Sequence, residues 1–299
     1  MIRQFASSIG IEGIIYLVGL TLFASWLLRT SLGRKSLAET EPRRNNMPIY
    51  LPFVPLFIWL GAVSVAMQIK RGLMGDLDPR GAPALQNWQS AFLDNLILCI
   101  GAIVTIVVII FLARATFARR LKGFGLNVRT IHKDLSAAFV NLLSIWPLLF
   151  LTIILTAYFG KVFFGQDYEM PQHEELKLIT AHPQLLLKIL IVITAVVIAP
   201  VIEEMLFRGL FQTMIRSYLE NWKLEIGNWK LIATDPVWVS IAISSMIFTT
   251  VHYNMAHWPA LFVLALCLGY AYEKSGSLLR PIFIHCLFNA ITIVAVLNQ

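Results

Sequence analysis

The sequence predicts an all-α fold, a polytopic membrane helical bundle of about eight transmembrane helices. Three observations predict it. Of the 299 residues, 58% are hydrophobic and only 14% are charged, against about 25% charged in a soluble domain, so the chain has too little polar surface to meet water on all sides. The apolar residues fall into eight runs, most of them long enough to cross about 30 Å of hydrocarbon as a helix. The connections between the runs are short, carry the expected prolines, glycines and cations, and leave no room for a sizeable soluble domain.

The first run, Ile9 to Leu28, follows one early cation, Arg3, and is too long for a signal-peptide core, so it reads as a retained span. The second and third, Ile49 to Ile69 and Leu96 to Phe117, are bounded by the polar stretches Arg34 to Pro48 and Lys70 to Asn95. The fourth, Leu135 to Phe164, follows Arg119 to Leu126, where cations alternate with apolar residues as in a segment on a lipid surface or in an ordinary basic loop. The fifth, Leu185 to Ile202, continues without a clean stop through Glu203-Glu204-Met205-Leu206-Phe207-Arg208 into Gly209-Leu210-Phe211, with Pro200 as a kink. The sixth and seventh, Val237 to Val251 and Pro259 to Tyr272, are short for full spans and fit tilted or partial helices. Leu278 to Leu297 is the eighth.

Sixteen of the Lys and Arg residues in the connections fall in the odd-numbered ones and four in the even-numbered ones. The positive-inside rule then places the odd connections in the cytoplasm and both termini outside, as in a multi-pass protein of the bacterial cytoplasmic membrane. The same distribution accounts for the net charge of +7. No basic face is interleaved with aromatics, so nucleic acid is not an expected partner; the bilayer is. Cys99, Cys267 and Cys286 lie in apolar runs and read as buried free thiols.

Charge at lipid depth costs about 2.5–3.5 kcal/mol per group on insertion scales, so Glu203, Glu204 and Arg208 call for an explanation. Glu204 and Arg208 are one helical turn apart and can pair, whereas Glu203 points about 100° away. Two more polar motifs follow, Phe248-x-x-x-His252 and His285-x-x-x-Asn289, each placing its pair on one helical face. Such a set can perform hydrolysis. A poorly solvated carboxylate acts as general base to a water, a histidine holds that water, and a His with an Asn amide donates to an oxyanion. One Glu and two His are equally ligand types that zinc accepts, and the spacing leaves both chemistries open. A proton relay in a transporter would use the same residue types. His173-Glu174-Glu175 lacks a second His and reads as a solvated loop, and His132, His182 and His257 as surface or interfacial residues near helix ends.

The ordered motifs Glu203-Glu204-x-x-x-Arg208, Phe248-x-x-x-His252 and His285-x-x-x-Asn289, with Gly276-Ser277-Leu278 and Pro281, resemble the CPBP family of intramembrane proteases. That family includes the type II CAAX prenyl endopeptidases and the bacterial Abi and bacteriocin-self-immunity proteins. The resemblance covers residues 130–299 and implies a protease core there, with 1–129 as an N-terminal three-helix membrane extension. It implies that Glu203 is the general base, His252 helps to hold the water, and His285 and Asn289 form the oxyanion site. Glu204, Arg208 and Phe248 are then supporting residues. Family members have been described both as metalloproteases and as metal-independent glutamate enzymes. No cofactor is assigned, since a base with an oxyanion pair uses all four groups; zinc or another divalent metal, if used, falls to Glu203, His252 and His285. The implied activity is endopeptidase cleavage of a membrane-associated protein or peptide, lipidated or CAAX-like. A transporter and a catalytically silent immunity or scaffold protein of the same fold are the alternatives.

Overall fold

The computed structural model describes residues 10–74, 88–171, 174–221, 224–226, 229–231, 235–252 and 254–297. His173 and most of the second connection, 75–87, lie outside them. Eight principal helices follow the eight apolar runs. They are α1 (Ile11–Thr30), α2 (Phe53–Met74), α3 (Trp88–Thr116), α4 (Ile131–Phe164), α5 (Leu185–Glu220), α6 (Pro236–Thr250), α7 (Trp258–Ser275) and α8 (Leu279–Leu297). All but α6 are long and apolar enough to cross a membrane. The chain is a multi-pass integral membrane protein. Among the described residues one sheet is formed, a small antiparallel hairpin in the fifth connection, Leu224–Ile226 against Trp229–Leu231.

The helices alternate in direction. At one end the first and third connections are joined by backbone bonds, Asn46 N–H to Thr116 C=O at 3.0 Å and Ala118 N–H to Arg44 C=O at 3.1 Å. Leu278 N–H donates to Gly125 C=O there at 2.9 Å, bringing in the seventh connection. At the other end His257 Nε2 donates to Pro171 C=O at 2.9 Å, which puts the fourth and sixth connections together. The first, third and seventh connections therefore share one end of the bundle, and the fourth and sixth come together at the other.

Isoleucine, leucine, valine and phenylalanine side chains cover the outer faces, such as Phe111, Phe139 and Leu151, where lipid meets them. The interior is built where α3, α5, α6 and α7 meet, around Ile109, Leu206, Leu210, Phe248 and Tyr272. Without a hydrophobic drive between helices in lipid, close packing and interhelical hydrogen bonds hold such a bundle. The third connection contributes to that interior instead of lying on the lipid surface. Its short helix Arg120–Phe124 turns Phe124 fully inward, edge-on to Phe117 at 5.2 Å between ring centroids. Phe124 takes the space that a side chain at Gly209 would fill, where a Cβ would stand 2.3 Å from the ring. His182 also departs from the expected surface position: it is 5% exposed.

Helix α5 is continuous through Pro200 but not uniform. Two wide π turns, Thr194–Ile198 and Met205–Gln212, interrupt its α-helical segments. The first has a local cause. Ala199 N–H reaches back to Thr194 C=O, and in that register Ala195 C=O falls opposite residue 200, a proline with no N–H to give. Side chains supply what the wide turns leave unmet. Asn289 Nδ2 donates to Ala195 C=O at 2.8 Å, Ser244 Oγ to Phe207 C=O at 2.8 Å, and Thr213 Oγ1 to Arg208 C=O at 3.3 Å.

Candidate active site

The polar residues of α5 recur every fourth position, Glu204, Arg208, Gln212, Arg216 and Glu220. In a regular α-helix a four-residue step overshoots one turn, so such a stripe winds off the face. A wider turn makes the same step fall short, so the π segment offsets the drift. The stripe stays on α7, where it meets a matching series of partners. Arg208 Nη2 donates to Ala265 C=O at 3.2 Å, Gln212 Nε2 to Gly269 C=O at 3.1 Å and to Glu273 Oε1 at 2.9 Å, and Arg216 pairs with the Glu273 carboxylate. A Cβ at Gly269 would stand 2.8 Å from Gln212 Oε1, so the close approach needs glycine there.

Glu204 heads this ladder. Its side chain is fully buried, and Oε1 accepts from Arg208 Nη1 at 2.9 Å and from His285 Nδ1 at 2.9 Å. The Arg208 guanidinium also lies over the Phe248 ring, 4.5 Å from its centroid. Phe248 packs edge-on against His285 at 5.8 Å and Phe207 at 5.3 Å, and tilted against His252 at 4.7 Å. These contacts join the three motifs at one point, although the sixth and eighth helices bring their polar groups from opposite ends.

They meet because α6 is short. It stops at Thr250 after 15 residues, about 22 Å of rise, and the chain turns back through Met255–His257 into α7. His252 therefore sits on the turn after α6, not on its helical face. Its Nδ1 lies 2.7 Å from Phe248 C=O. A carbonyl oxygen only accepts, so Nδ1 carries the proton and Nε2 is left as the acceptor of the neutral ring. Trp258 Nε1 donates to the His252 carbonyl at 2.9 Å and braces the turn.

Glu203 points away from the ladder into a cavity of about 260 Å³, shared with His252, His285 and Asn289. Its side chain keeps 17% of its surface accessible, and its Oε2 stands 3.8 Å from His285 Nε2, too far for a direct hydrogen bond and close enough for one water to bridge. The remaining walls are mostly apolar, including Leu98, Ile191, Leu261 and Phe288, with Asn95 of α3 at one side. Asn289 spends one of its two Nδ2 hydrogens on Ala195 C=O and retains the other. The structure thus brings all four expected site residues to one cavity and places Glu204, Arg208 and Phe248 behind them. Among the described residues no three His, Cys, Asp or Glu side chains are grouped to hold a metal ion. In His252 and His285 the Nδ1 is bonded within the protein, which leaves Nε2 of each as the ring nitrogen facing the cavity.

Two supporting groups have no place in the three motifs. Asp134, at the start of α4, is buried and accepts from Ser277 Oγ at 2.6 Å and Arg280 Nε at 3.1 Å, fixing the turn into α8 and hence the placement of His285. Arg216, Gln212 and Glu273 continue the Glu204 ladder. The four-residue recurrence on α5 is the signal that locates that ladder; for Asp134 a lone acid before an apolar run carries none.

Residues 185–291 match the family model described as type II CAAX prenyl endopeptidase Rce1-like. That stretch is similar to the Rce1-like family. It takes in α5, α6, α7 and the first two-thirds of α8, and so every residue of the three motifs. A protein of Escherichia coli described as an uncharacterized 24.3 kDa protein is 27% identical over 131 residues, covering 43% of this chain and 54% of that protein. The chain therefore spans about half the length of that curated relative. No solved structure matches the chain.

Proposed function

We propose that the chain is a membrane-embedded endopeptidase that hydrolyses a peptide bond of a membrane-associated substrate, with Glu203 as general base. One observation carries the reading: Glu203 Oε2 and His285 Nε2 face each other at 3.8 Å in a largely apolar cavity, a separation that one water fills. Glu203 takes a proton from that water as its oxygen adds to the scissile carbonyl, and later passes the proton to the departing amine. His252 Nε2 accepts from the same water and holds it on line. The second Nδ2 hydrogen of Asn289, with the His285 ring beside it, stabilises the oxyanion. Glu204 and Arg208 fix the His285 ring and take no part in bond making. The match to the prenyl endopeptidase model supports a lipidated or CAAX-like substrate, whose acyl or prenyl chain the apolar walls and the surrounding lipid accommodate.

In this reading residues 130–299 are the protease core and 1–129 a membrane extension that lends Asn95 and Leu98 to the cavity wall. The end of the bundle bearing the odd connections faces the cytoplasm, and both termini face outward across the bacterial cytoplasmic membrane. The test is cleavage of a farnesylated CAAX-like peptide by the purified chain in nanodiscs. Glu203→Gln and His252→Ala are expected to lower the rate by about 10²–10⁴-fold while unfolding midpoints stay unchanged. Undiminished cleavage by folded Glu203→Gln overturns the assignment.

A further inference from the structure

A second cavity, of about 720 Å³, opens at the odd-connection end between residues 36–44, 118–123 and 273–276. Five cations line it, Arg43, Arg44, Arg119, Lys122 and Lys274, against the carboxylates Glu39, Glu41 and Glu273. The pairings decide which of these are available. Arg43 reaches Glu273 Oε2 at 3.4 Å and Tyr272 C=O at 3.0 Å, and its guanidinium covers the Tyr272 ring. Lys274 Nζ donates to Ser36 C=O at 2.9 Å. Glu273 is shared with Arg216 and Gln212, so it has nothing left to give the cavity. Arg44, Arg119 and Lys122 are exposed, and their side chains have no hydrogen-bond or ion-pair partner among the described residues; the same holds for Glu39 and Glu41, so the cations are in excess among the unpaired charges.

Three like charges on free tails would spread apart, but here the backbone holds them together. The bridge between Asn45 and Phe117 fixes the segment bearing Arg44 beside the one bearing Arg119. Asn45 Nδ2 also bonds Ser217 Oγ at 3.0 Å, tying the pair to α5. Buried Phe117 and Phe124 anchor the short helix that carries Lys122. Clustered cations on a rigid frame are favourable when an anion sits among them. The cluster begins within three residues of the end of α3 at Thr116, the level at which lipid phosphates lie.

We infer that this cavity is a phosphate-binding site formed by Arg44, Arg119 and Lys122, and that an anionic phospholipid headgroup supplies the phosphate. The test compares the full chain with the site variant Arg44→Gln/Arg119→Gln/Lys122→Gln and with an equal-charge control, Arg114→Gln/Arg129→Gln/Lys133→Gln. Phosphatidylglycerol in phosphatidylcholine nanodiscs is the first probe, read by retained lipid in native mass spectrometry and by the unfolding midpoint. The wild type and the control are expected to retain phosphatidylglycerol at least about tenfold more tightly than the site variant. All three should unfold together in pure phosphatidylcholine. Inorganic phosphate added to detergent-solubilised protein is the second probe. Stabilisation of the wild type alone by phosphate, with no preference for phosphatidylglycerol, keeps the phosphate site but overturns the lipid source. Equal retention by the site variant and the control overturns the site itself. If the triple variant does not fold, Arg119→Gln and Lys122→Gln taken singly must each weaken phosphatidylglycerol retention, and no weakening in either overturns the proposal.

Discussion

Replacing Glu204 by Gln separates the two adjacent glutamates by what each one neutralises. Glu204 is fully buried and holds both Arg208 and His285 on one oxygen, each at 2.9 Å. Gln preserves the shape and an acceptor oxygen but removes the charge. Arg208, itself 0% exposed, is then a buried cation without a counter-ion, at a cost of about 3–5 kcal/mol. Against a total stability of roughly 5–15 kcal/mol, that is a large fraction. Glu203→Gln removes a carboxylate that keeps 17% of its side chain accessible and makes no direct hydrogen bond to His285, so it should cost less than about 1 kcal/mol. Reversible denaturation in detergent, followed by tryptophan fluorescence, measures both. A double variant, Glu204→Gln with Arg208→Met, should recover part of the loss because it removes both charges together. Equal stability of the two single variants, or strict additivity in the double, refutes the assignment of Glu204 as the counter-ion of Arg208.

Two further outcomes follow from the packing of α5. Asn289→Ala should cost about 1–3 kcal/mol by orphaning Ala195 C=O, and less when Pro200→Ala restores an N–H at that position; additive losses in a double-mutant cycle refute the link between Pro200 and Asn289. Gly209→Ala should cost about 1–3 kcal/mol by driving a methyl into Phe124, and Phe124→Leu in the same chain should return most of it, as measured by the unfolding midpoint.

Much of the fold was legible because lipid writes it plainly. Runs such as Leu96 to Phe117 and Leu278 to Leu297 have only one stable form in hydrocarbon, a helix that satisfies its own backbone. The Glu204–Arg208 pair was legible for a local reason, one helical turn. The position of His252 was not, since whether α6 ends before or after it depends on where the turn into α7 packs. The inward rotation of Phe124 depends on the absence of a side chain at Gly209, 85 residues away. Asn289 was expected as an oxyanion donor; that it also closes a carbonyl left open by Pro200 rests on a register shift in another helix.

By itself, the sequence determined that the chain is a bundle of about eight spans, which connections share a side, and which few polar groups sit where burial is costly. Hydropathy and charge are sums over residues and need no partner to be read. Only the tertiary structure decided that Glu203 faces a cavity while Glu204 faces Arg208 and His285, and that Asp134, Gln212 and Glu273 stand behind them. Those outcomes depend on helix rotation and register, which are set by the packing of residues far apart in the chain.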